Sequence, residues 1–193
     1  MGRVPLAGPA MTARLAPKAR AALGALALFV AGVAPVAHGG ETAGLSMAGP
    51  WDFIAMEVKS WGRPVTSWRL LPNGSGSWTE VVEARGEGPP GLNAVWHEVE
   101  VGEAGFGRVV AALSRMPLPA PDPARCADFM PDLPYGTVRL TRGATTLEIA
   151  WNSGCMDADY RAFIAILKAA DTLVAEPGRA GRVLRTEPLE PGR

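Results

Sequence analysis

Two cysteines constrain this chain more than any other feature. Cys126 and Cys155 are the only ones it has, and a complete supersecondary pattern lies between and just after them. Thr137 to Arg142 and Thr145 to Asn152 alternate as two strands, with Val138 and Leu140, then Leu147, Ile149 and Trp151, turned to one side. Gly143-Ala144 is the turn between them. An amphipathic helix follows, with its apolar stripe at Tyr160, Phe163, Ile164, Leu167 and Val174, widened by Ile166, Ala170 and Leu173. Asp157 or Asp159 is placed to cap it, and Pro177-Gly178 to end it near Glu176. In an oxidising compartment an even cysteine count favours a bridge, and two cysteines allow one pairing. A Cys126–Cys155 disulfide closes a loop of about 30 residues, worth roughly 3 to 4 kcal/mol in the chain-entropy model.

The compartment is read from the N-terminus. A basic region ending at Arg20 precedes the apolar run Ala21 to Val36, and Ala37-His38-Gly39 offers small residues for cleavage after Gly39. Residues 1–39 therefore read as a signal peptide, with Met1 or Met11 as the start. The apolar run is interrupted by Gly24, Gly32 and Pro35 and is short for a membrane span of about 20 residues. The expected product is periplasmic or secreted, with no span after cleavage. Arginine outnumbers lysine, and alanine, glycine and proline are abundant, a composition that points to a GC-rich bacterial source.

Cleavage also changes the charge. The whole chain has 19 basic and 19 acidic side chains, but the leader holds Arg3, Arg14, Lys18 and Arg20 and no acid, leaving 19 − 4 = 15 against 19, a net of −4. Such a product lacks the basic footprint of a nucleic-acid binder.

Residues 40–50 read as a linker and residues 51–176 as one domain. Trp51 to Lys59, Val65 to Leu71, Ser77 to Ala84 and Ala94 to Val101 carry strand alternation, and Asn73-Gly74 marks a hairpin turn. Arg85 to Asn93 reads as a loop around Pro89-Pro90-Gly91. Phe106, Val109, Val110, Leu113 and Met116 recur at helical spacing until Pro117. Prolines at 117, 119, 121 and 123 predict an extended connector. The segment 177–193 has few apolar residues and predicts a largely disordered tail, apart from a Val183-Leu184 contact. The order β-β-β-β-α-β-β-α implies an α+β fold, an antiparallel sheet of about six strands with two helices on one face.

Candidate chemistry is sparse. His97 is the one histidine beyond the leader, in the apolar register of its strand, and no zinc, nucleophile-elbow, phosphate-loop or EF-hand motif accompanies it. No cofactor or metal is implied. Asp122, Asp128 and Asp132 lie in one loop and Asp157 and Asp159 at a helix start, where solvation, Asx-turns and capping account for them. The surplus is aromatic: six tryptophans, at 51, 61, 68, 78, 96 and 151, fall on or beside strands. Trp61, and Trp96 beside Glu98 on a polar face, are the candidate binding residues, since aromatics supply contact area with little entropy loss. These features favour a non-enzymatic binding or interaction module with a protein or envelope partner. The alternatives are a protease-inhibitor-like protein presenting the proline-rich loop and a small hydrolase using His97 with a carboxylate.

Overall fold

A computed structural model describes residues 49–84 and 91–189. The expected leader (1–39), most of the expected linker (40–48), residues 85–90 of the expected loop and residues 190–193 lie outside the described residues.

Four strands come first: β1 Phe53–Ser60, β2 Arg63–Leu70, β3 Ser75–Glu83 and β4 Leu92–Glu100. Helix α1 is Gly102–Leu113, and a single 3-10 turn at Pro123–Arg125 interrupts the proline-rich connector. Then come β5 Tyr135–Arg142, β6 Thr145–Asn152, helix α2 Ala158–Ala180 and β7 Val183–Leu189. All strand pairs are antiparallel, in the order β6-β5-β1-β2-β3-β4-β7. The fold is α+β, as the pattern predicts.

Alternation built this sheet. A row in cross-strand register runs Ile149, Val138, Met56, Trp68, Trp78, His97 from β6 to β4. All six are buried, and the five apolar ones join Phe106, Val109 and Leu113 of α1 and the α2 stripe in one core. The expected stripes of both helices are the ones that pack. The β2–β3 turn also follows its sequence: Gly74 takes φ +82, and the Asn73 side-chain oxygen accepts from Ser75 N at 3.0 Å.

The strand count is corrected from six to seven. The extra strand, β7, pairs with β4 along its length, although its side chains are almost all exposed. An edge strand needs backbone partners more than apolar ones, so its composition resembles that of a tail. The position of β7 also explains why α2 runs past Pro177-Gly178. β6 and β7 are opposite edges of the sheet, six strand spacings apart, roughly 29 Å at ~4.8 Å each. A 23-residue helix covers about 35 Å, enough to carry the chain across. Gly178, expected as a stop signal, is instead a close-approach point: a Cβ there would sit 2.5 Å from Trp78 Cβ.

The disulfide is formed, Cys126 to Cys155, with Cα atoms 5.7 Å apart, inside the usual range. Asp157 occupies the N-cap of α2 but makes no capping bond. Its two carboxylate oxygens accept from Ala127 N and Asp128 N at 3.0 and 3.1 Å, holding the loop beside the bridge.

Candidate functional site

A groove of about 480 Å³ lies between α2 and the sheet. Its floor comes from the strands. Val58 and Met56 of β1 and Trp151 of β6 face the helix layer, with Gly136 between Val58 and Trp151 in register, so that row has no side chain at its middle. The second wall is the α2 face carrying Arg161, Ile164, Ala165, Leu167, Lys168 and Asp171, spaced as one helix face. Leu133 and Pro134, entering β5, and Ser153, Cys155 and Met156, leaving β6, close the end that the disulfide fixes.

Ten of the fourteen lining residues are apolar, and the charged ones are all on α2. Arg161 and Lys168 are exposed at the rim. Asp171 lies between the layers, where its Oδ1 accepts from Trp68 Nε1 at 2.8 Å. Burial raises the Asp171 carboxyl above its usual value, opposed by the Trp68 hydrogen bond and by Arg179. Tyr160 rises for the same reason, and its hydroxyl accepts from Asn152 N at 2.9 Å beside the groove.

The three sequence-predicted binding residues do not line this groove. Trp61 sits on the two-residue turn between β1 and β2, 74% exposed, with φ 52 beside Gly62 at φ 77. Positive φ at both positions is what a tight hairpin twist requires, and for tryptophan it is strained. The turn is tied to the groove end of the sheet, because Gly62 N donates to the hydroxyl of Tyr135, the neighbour of Pro134. Trp96 and Glu98 lie two residues apart on the opposite face. Each meets an arginine from the C-terminal segment: the Arg185 guanidinium lies 4.0 Å over the Trp96 ring, and Arg182 makes two bonds to the Glu98 carboxylate at 3.0 and 3.2 Å. Trp96 also edges a shallow hollow of about 310 Å³ with Phe53, Arg69, Ser77, Thr79 and Arg139. Of the six tryptophans only Trp61 is freely exposed; Trp51, Trp68, Trp78 and Trp151 are core.

His97 does meet a carboxylate, Glu80, at 3.4 Å. The ring is 7% exposed, packs on Trp78 at 5.3 Å between centroids, and has Nδ1 3.4 Å from the Gly181 carbonyl. It reads as a hinge between β3, β4 and the end of α2, with little surface for a substrate. Cys126, Cys155 and Asp157 cluster within 4.8 Å, but the sulfurs are bonded to each other and both Asp157 oxygens accept backbone N–H groups, so the trio offers a metal no free ligand set.

Asp171, Arg161 and Lys168 were not legible as a site. They read as the polar flank of an amphipathic helix, and the partner of Asp171 is 103 residues away in sequence. No protein-family model, no curated protein and no solved structure matches this chain. No helix among the described residues is long and apolar enough to cross a membrane. The Cys126–Cys155 disulfide is of the kind that persists in an oxidising compartment, consistent with a periplasmic or extracellular place for the domain.

Proposed function

We propose that this protein is an exported, non-enzymatic binding module whose ligand site is the groove between α2 and the β1-β5-β6 end of the sheet. The observation that carries the reading is the groove itself. A volume of about 480 Å³ with mostly apolar walls and a few convergent polar groups has the size and character of a small-molecule site. The disulfide and the Asp157 contacts hold its rim in place without a ligand, which lowers the ordering cost of binding.

Ala165 gives the test. It lines the groove yet is solvent-exposed, so Ala165→Trp fills the space without disturbing the core. Calorimetric titration of the mature protein with dodecanol should show binding that this variant abolishes at an unchanged Tm. Absence of binding, or binding that survives the substitution, ends the reading.

A second reading places a protein or envelope partner on the opposite sheet face, supported by the hollow beside Trp96. If Trp96→Ala and Trp61→Ala leave capture of every partner unchanged, this reading fails.

A further inference from the structure

We infer that the ligand of this groove is an anionic single-chain amphiphile, a fatty-carboxylate type of molecule, with its hydrocarbon tail against Val58, Trp151 and Ile164 and its carboxylate between Arg161 and Lys168. The inference rests on the groove being the ligand site, and it adds the ligand's charge and shape.

The charge argument starts from which cations are already neutralised. Arg139, Arg182 and Arg185 are paired with Glu148, Glu98 and Glu187. Arg161 and Lys168 take part in no ion pair among the described residues. They stand seven residues apart on one helix face, about 10 Å along the axis, and the apolar wall at Ile164 and Ala165 lies between them. The acid in the lining, Asp171, is turned to the Trp68 indole. The groove mouth is thus a cationic spot on a mature chain whose net charge is acidic.

A ligand with an apolar body and a neutral head fills the groove but gains nothing from the two cations. A cationic head meets two like charges. A carboxylate gains charge-assisted hydrogen bonds, with the Arg161 guanidinium able to take both oxygens. The volume lies toward the small end of the roughly 300–1,000 Å³ range of ligand pockets, which suits one hydrocarbon chain rather than the paired chains of a membrane lipid.

The deciding experiment titrates the mature protein with dodecanoate, dodecanol and dodecyltrimethylammonium, each as monomer, and repeats the series with Arg161→Ala/Lys168→Ala and with Ala165→Trp. Dodecanoate should bind about tenfold more tightly than the other two. The double variant should lose that advantage while keeping dodecanol affinity and Tm, and Ala165→Trp should remove binding of all three. Equal affinity for dodecanol and dodecanoate overturns the anionic assignment and leaves the groove as an apolar site. Failure of every probe to bind, or indifference to Ala165→Trp, overturns the groove reading with it.

Discussion

The indole N–H of Trp68 on β2 donates to Asp171 Oδ1 on α2 at 2.8 Å, and this bond joins the two layers beside the groove. The carboxyl is held above its ordinary value of 3.8 mainly by burial. The folded state therefore holds the proton more strongly than the unfolded state, so the contribution of Asp171 to stability is greatest below the unfolded pKa and is lost as pH rises through the raised folded pKa. Asp171→Asn keeps an oxygen for the indole and removes the charge. Its stability relative to the native protein should rise across that window and level off above it, by about 1 kcal/mol at neutral pH, as read from urea midpoints over a pH series. Asp171→Leu strands the indole N–H and should cost about 1 to 3 kcal/mol at every pH. A flat difference for the Asn variant would mean that the carboxyl titrates normally.

Asp157 and the disulfide hold the same loop by different means, one through Ala127 N and Asp128 N, the other through Cys126. The bridge orders the loop, so the two hydrogen bonds form at lower entropic cost than they would on a free loop. Asp157→Ala should then destabilise the oxidised protein by about 1 kcal/mol. A Cys126→Ser/Cys155→Ser protein should lose roughly 3 to 4 kcal/mol. Combined, the losses should fall short of their sum by about 0.5 to 1 kcal/mol in a double-mutant cycle. Strict additivity would show the two restraints to be independent.

Gly178 touches Trp78, and no larger residue fits the same backbone positions. Alanine is the better helix former by about 1 kcal/mol. Overpacking costs about 1 to 3 kcal/mol, and here it also shifts the end of α2 away from the Gly181–His97 contact. Gly178→Ala should therefore lower stability in chemical denaturation and reduce protection of the β4 and β7 amides in hydrogen exchange. A more stable Gly178→Ala protein would contradict the close approach.

Much of this architecture was legible in the sequence because it is periodic. Alternation at Ile54, Met56, Trp68, Val138, Leu140, Ile149 and Trp151 marked the helix-facing side of the sheet, and the stripe from Tyr160 to Val174 marked the packed face of α2. The elements missed were decided by geometry. β7 buries almost nothing, so no apolar period announces it; its place is fixed by pairing with β4. Pro177-Gly178 carries local stop chemistry that is overruled because the chain must reach the far edge of the sheet. The groove was invisible for a related reason. Val58, Trp151 and Ile164 each read as ordinary core, and the space among them depends on Gly136 sitting opposite Val58 and Trp151.

Trp61 is the one candidate that sequence and structure single out for different reasons, an aromatic surplus in the first and a strained, exposed backbone position in the second. A left-handed conformation costs a non-glycine residue about 1 to 2 kcal/mol, and a 74% exposed ring recovers little of that by packing. Glycine at the same position relieves the strain and, beside Gly62, makes a turn well suited to the hairpin. Trp61→Gly should raise stability by about 1 kcal/mol, less some loss from the freer unfolded chain. If the tryptophan serves the binding end of the sheet, the same variant should weaken capture of the ligand or partner several-fold while Tm goes up. A gain in Tm with binding intact would leave Trp61 without a binding role, and a fall in Tm would mean that the ring stabilises its turn through contacts that outweigh the strain.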